Sequence, residues 1–181
     1  MYRLNLSVII GVFAFVTSPT LAGPADFGPG PLISDYGRIA AVESDMSIPE
    51  TTVMRVAFDV TNQADAGEFN RSISSAARFL NMHVAAGMPA ENIHLAIVLH
   101  GSAVHDVTNA AHYDDLMQTP NANAPLIATL IEHGVEFYVC GQSAVYHDVE
   151  NAALLPGVNM ALSAMTAHAL LQQNGYTLNP F

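Results

Sequence analysis

The run His94–Leu99, HLAIVL, is apolar at almost every position and shows no alternation of polar and apolar residues. A half-exposed strand alternates, whereas a strand buried on both faces does not, and strands of that kind belong to parallel sheets covered by helices. The rest of the chain supplies the matching parts in turn. Residues 52–60 are rich in β-branched residues and read as the first core strand. From Glu68 to about Ala86, Phe69, Ile73, Ala76, Ala77, Leu80 and Val84 recur at helical spacing, and Gly87 with Pro89 closes that helix. Residues 104–123 are polar and irregular and read as a loop with one helical turn, or a flap. Pro125–His133 carries Leu126, Ile127, Leu130 and Ile131 on one helical face, stopped by Gly134. A strand over Val135–Val139, a short helix within 142–153, a strand over Val158–Leu162, a helix over Ala164–Gln173 and a last strand over Tyr176–Leu178 complete the pattern. The order β-α-β-α-β-α-β-α-β requires an α/β fold: a parallel sheet with helices on both faces and right-handed crossovers.

Two strands of this sheet end in reactive side chains. The segment GVEFYVCGQS runs into Cys140, the only cysteine in the chain. In a parallel sheet that places a thiol at the carboxyl end of a strand, where ligands collect and where unpaired N–H groups of the next helix stabilise a thiolate. The plainer reading is a small hydrophobe packed in the core. His100 ends the preceding strand, and if the two strands are neighbours it shares a sheet edge with Cys140 and serves to ionise the thiol; a histidine that merely bonds a loop carbonyl is the alternative. Gly101, Ser102, Gly141, Gln142 and Ser143, the polar residues after these strands, are the candidate substrate-binding positions. His100, His105 and His112, with Asp106, Asp114 and Asp115 close by, form an alternative zinc or copper site, but their spacing matches no recognised ligand pattern, so no metal is assigned. There is no G-x-S-x-G elbow, no phosphate-binding P-loop and no G-x-G-x-x-G after the first strand, where the residues read TNQADAG. No cofactor is called for.

Residues 1–22 have Arg3, an apolar run from about Leu4 to Val16 and small residues Thr20 and Ala22 before Gly23, the pattern of a secretory signal cleaved after Ala22. The run of roughly 13 residues is too short for the ~20 that span a bilayer. The expectation is an exported protein, periplasmic in a bacterium and free of the membrane after cleavage. Gly23–Glu50, rich in proline and glycine, reads as an N-terminal arm that lies over the surface or reaches a neighbouring subunit, and residues 51–181 as one domain. Exported proteins usually pair their cysteines, so a solitary one points to an intermolecular bond or a reactive thiol. Five arginines and no lysine stand against sixteen acidic residues, a net charge of −11, which excludes nucleic acid as a partner.

The segments AFDVT, ARFLN followed by AAGMPAENIHLAIVLHG, GVEFYVCGQS, LLPGVNMALSA and LLQQNGYTLNPF together resemble the DsrE/DsrF-like family, in particular its exported single-domain members, over roughly residues 52–181. The resemblance implies a three-layer α/β/α fold with a five-stranded parallel sheet of order 4-3-2-1-5, which would bring His100 near Cys140. It implies homo-oligomers, trimers or hexamers, and passage of sulfur between proteins as a cysteine persulfide, with Cys140 at the position of the sulfur-carrying cysteine. The family's characterised carriers work in the cytoplasm with relay partners, and the leader of this chain departs from that pattern. The expected function is therefore exported sulfur handling: a sulfur carrier or sulfurtransferase holding sulfane sulfur on Cys140, aided by His100, with a sulfur donor or acceptor protein as partner. The alternative is a non-catalytic oligomeric module of the same fold that binds a small ligand or serves assembly.

Overall fold

The computed structural model describes residues 23–179, and the expected leader lies outside them. The elements are β1 (Met54–Val60), α1 (Arg71–Ala85), β2 (Ile93–Leu99), α2 (Ala110–Met117), α3 (Asn123–Glu132), β3 (Glu136–Cys140), α4 (Gly141–Tyr146), β4 (Val158–Ala161), α5 (Ala164–Gln173) and β5 (Thr177–Asn179). The strands form one sheet of order β4-β3-β2-β1-β5 in which every pairing is parallel. β2 is central and buried at every position except His94, as a strand without alternation requires.

The two faces of the sheet are unequal. Phe58, Val60, Leu95, Ile97, Leu99, Phe137 and Val139 pack in one core with Ile73 and Leu80 of α1, Leu126 and Leu130 of α3 and Ala144 of α4. Ala57, Ala96 and Val98 point the other way, where Ala164, Ala167 and Leu171 of α5 cover them. Small residues on both sides of that contact let a single helix lie close to the strands. The asymmetry follows from handedness. Steps from β1 to β4 move in one direction, so right-handed crossovers keep α1, α3 and α4 on one face. The return from β4 to β5 reverses direction and places α5 on the opposite face. The chain therefore leaves β3 and β4, which are neighbours, toward opposite faces. A crevice at the carboxyl ends of two such strands is where open α/β sheets bind ligands.

One stretch differs from expectation. Residues 104–123 are more ordered than an irregular loop: a 3-10 helix over Gly101–Val107 precedes α2, whose Asn109 cap accepts from the His112 N–H. Ala103, Val104 and Val107 drive this, since all three are buried in the main core at near-helical spacing that the polar residues around them mask. Asp106, between them, is fully buried and accepts from Asn70 Nδ2 at 2.7 Å and from the Ala64 N–H at 3.0 Å. Burial pushes its carboxyl up to about 6 against the opposing pull of those two donors. The N-terminal arm lies over α1 of its own chain. Asn81, buried on α1, accepts from the N–H groups of Leu32 and Ile33 and donates to the carbonyls of Ile33, Tyr36 and Gly37. Gly30 crosses so close that a Cβ there would stand 2.0 Å from the Asn81 Cγ, which is why a glycine occupies that position.

Candidate functional site

Cys140 is both the last residue of β3 and the N-cap of α4. The sheet register pairs Leu99 with Val139 and Cys140 with Ala161, so His100, Cys140 and the β4 end lie along one edge. Gly141 makes the sharp exit into α4 feasible: a Cβ on it would meet the Ala161 carbonyl oxygen at 2.6 Å. Ser143, one residue further into α4's first turn than Gln142, accepts from the Gly101 N–H at 3.0 Å, which leaves its hydroxyl hydrogen for the Cys140 sulfur.

Burial pushes the Cys140 thiol up, but the Ser143 hydroxyl and the backbone N–H groups of Ser143, Ala164 and Gln142 together outweigh it and hold the thiol below its ordinary value. The donors come from both sides of the crevice, since Ser143 and Gln142 begin α4 and Ala164 begins α5. Ser163 caps α5 by accepting from the Thr166 N–H at 3.0 Å. Stabilisation by backbone amides favours the anion without a neighbouring cation. Replacement of Ser143 by alanine is expected to raise the midpoint of the rate-versus-pH curve for Cys140 alkylation by roughly one unit, because only the charged form gains from the lost donor. An unchanged midpoint would show that the amides alone suffice.

Cys140 is only 6% exposed, yet it lines a pocket of about 310 Å³ together with Asp59, His100, Gln142, Met165 and His168. Asp59, near the end of β1, binds two imidazoles at once. His168 Nε2 of α5 donates to Oδ1 at 2.7 Å, and His100 Nε2 donates to Oδ2 at 3.1 Å, with Thr61 Oγ1 also 3.2 Å away. Burial pushes the Asp59 carboxyl up, but the hydrogen bonds from His168 and His100 and their charges hold it below the usual carboxylate range.

Of the residues picked out from the sequence, Cys140, His100 and Gln142 line the pocket, and Ser143 and Gly101 support it from behind. The Gln142 side chain itself donates to the Leu162 carbonyl at 3.3 Å. Ser102 accepts from the Gln63 N–H at 3.1 Å and ties down the loop after β1. His100 takes Asp59 as its partner, so the two share the pocket with the thiol while the hydrogen bonds that ionise it come from Ser143 and the amides. Asp59 and His168 were not among the site residues expected. Their signals were an acid inside the apolar run RVAFDV and a histidine within the buried stripe Ala164, Ala167 and Leu171. The histidine and aspartate cluster divides. His105 stacks on His112 with ring centroids 6.2 Å apart and meets His147 edge-on at 4.9 Å, while Asp106 is held by Asn70 and Ala64. Among the described residues no three such side chains are arranged to hold a metal ion.

The DsrE/DsrF-like family profile matches residues 54–180. The chain belongs to the DsrE/DsrF-like family. Two solved structures share its fold. One is a protein of unknown function, MTH1491 from Methanobacterium thermoautotrophicum, at 16% identity and a TM-score of 0.52, covering 71% of this chain and 99% of that one. The other is the ychN protein from E. coli, at 14% identity and a TM-score of 0.50, covering 71% of this chain and 100% of that one. Among curated proteins none matches in sequence. No helix among the described residues is long and apolar enough to cross a membrane.

Proposed function

We propose that this DsrE/DsrF-like protein carries sulfane sulfur as a persulfide on Cys140, after export to the periplasm and as a homo-oligomer. The observation that carries the reading is the thiol at the β3/β4 crevice, held below its ordinary pKa by the Ser143 hydroxyl and by amides from two helices, at the wall of a small pocket. Such a thiolate attacks the outer sulfur of a donor persulfide, R–S–SH. A bond forms between the Cys140 sulfur and that outer sulfur, the donor's S–S bond breaks, and the leaving R–S⁻ takes up the proton that the thiol gave up. The sulfane sulfur changes carrier with no net oxidation. A sulfur donor or acceptor protein is the partner this chemistry requires.

The test is intact mass after incubation with an alkyl persulfide. Wild-type protein is expected to gain sulfur and Cys140→Ser to gain none. No addition to wild type, or equal addition to the variant, overturns the proposal. The near-complete burial of Cys140 favours a second reading, a non-catalytic ligand-binding or assembly module with a packed thiol. A native thiol inert to iodoacetamide supports that reading, and rapid alkylation excludes it.

A further inference from the structure

Asp115 of α2 and Asp148 and Glu150 beyond α4 line one cleft of about 710 Å³ together with His105, His112 and His147. Asp148 and Glu150 also line a second cleft of about 490 Å³, with Gly141, Val145, Val149 and Met160, so the two clefts form one furrow. Its inner end lies next to the thiol. Gly141 is bonded to Cys140, and Met160 precedes the Ala161 that pairs with Cys140 across the sheet. The furrow passes from acidic to apolar toward that end, where Val145 and Tyr146 of α4 are 78% and 83% exposed. Large apolar side chains left open beside a reactive residue mark a contact surface.

The charge in this furrow has no counterpart within the protein. Among the described residues no arginine pairs with Asp115, Asp148 or Glu150, and none lines either cleft. His105, only 8% exposed, meets His112 and His147 by ring contacts but makes no hydrogen bond through its ring among the described residues, so the floor is polar and unsatisfied. Burial and those two neighbours hold His105 below its ordinary value, so it supplies no fixed cation. Asp148 has φ 55°, a left-handed position just past the α4 cap that a glycine would occupy with less strain. Three unpaired carboxylates along one furrow repel each other, and a positively charged occupant relieves that repulsion. A second copy is a poor match, since the chain has no lysine and sixteen acidic residues against five arginines. We propose that the protein that hands sulfur to Cys140 docks a basic segment with an apolar tip in this furrow, its cations on Asp115, Asp148 and Glu150 and its tip against Val145 and Met160. This rests on the carrier reading above, and the transfer is the exchange already described, with R the partner's cysteine.

The experiment uses two synthetic peptides of equal length, each with one cysteine persulfide beside leucines, one carrying lysines and the other glutamates at the remaining positions. Sulfur uptake by wild-type protein, read by intact mass, is expected to be about tenfold faster from the lysine peptide at low ionic strength. The difference should shrink to about twofold near ~0.5 M salt, where exposed charges are screened. Asp115→Asn, Asp148→Asn and Glu150→Gln together are expected to remove the preference, while iodoacetamide alkylation stays within about twofold of wild type because the groups that hold the thiolate are untouched. The whole chain is acidic, so the same charge change is also made outside the furrow. Glu43→Gln, Asp45→Asn and Glu50→Gln, on the exposed part of the arm, are expected to keep most of the preference. Equal rates from the two peptides, a preference that survives in the furrow variant, or one lost equally in the arm variant overturns the docking site and leaves sulfur carriage at Cys140 standing. Wild-type protein that takes sulfur from neither peptide but does so from a small alkyl persulfide likewise overturns the docking site alone. Protein that accepts sulfur from none of them overturns the carrier reading and this inference with it.

Discussion

Gly141→Ala is expected to lower stability by roughly 2–4 kcal/mol, enough to shift the melting temperature by about 5–15 °C in a domain of this size. The added Cβ would lie 2.6 Å from the Ala161 carbonyl oxygen, which is backbone and has no rotamer to give. Either β4 moves away from β3 or the start of α4 tilts, and each path carries a donor away from the thiol. Ala164 comes three residues after Ala161, and Gln142 and Ser143 follow Gly141, so all the groups that hold the thiol below its ordinary value depend on this close approach. The same variant should therefore lose much of its alkylation rate at neutral pH. Thermal melting together with the alkylation pH profile checks both parts, and a variant matching wild type in both would show that the backbone accommodates a methyl group here without cost.

The second large effect is expected away from the pocket. Asn81→Ala should cost roughly 3–5 kcal/mol, because it strips hydrogen bonds from several buried or half-buried backbone groups in one change. Oδ1 serves the N–H groups of Leu32 and Ile33, and Nδ2 serves the carbonyls of Ile33, Tyr36 and Gly37. Residues 28–39 of the arm have no helix or sheet of their own beyond a single antiparallel bridge between Gly28 and Ile39, so the amide of Asn81 substitutes for secondary structure. Asn81→Asp should be at least as damaging, because a carboxylate cannot donate to the three carbonyls and brings a charge into a fully buried site. Limited proteolysis within residues 28–39, alongside thermal melting, distinguishes a released arm from a globally weakened domain. An arm that stays protected in Asn81→Ala would mean that Ile33 packing alone holds it.

Much of this architecture was legible because it is local. HLAIVL has no period and must be buried on both sides, and β2 is the central strand. The amphipathic spacing around Leu126 and Leu130 marks α3, and the residues Ala164–Gln173 were read as a helix with the bounds that α5 has. Cys140 at a strand end was equally visible, since the apolar run stops at it and a glycine follows. The stretch from Ala103 to Val107 was misread because its three apolar residues are interrupted by His105 and Asp106. Both of those are buried as well, the acid with its own hydrogen-bond partners, and a window average cannot tell a buried carboxylate from a solvated one. The arm was assigned to the surface without its anchor, because an asparagine in mid-helix carries no sign that it will face a loop 44 or more residues earlier.

The alternation of strands and helices, hence a parallel sheet, and the placement of a lone thiol and a histidine at the ends of successive strands can be read from the residue order, because hydrophobic period and strand termination are written within a few neighbouring residues. What surrounds that thiol depends instead on how distant segments pack together. The return crossover to β5 puts α5 on the opposite face, brings the Ala164 amide to Cys140, and sets His168 against an Asp59 that precedes it by 109 residues. Those contacts arise from crossover handedness and the path of the whole chain, and no local pattern encodes them.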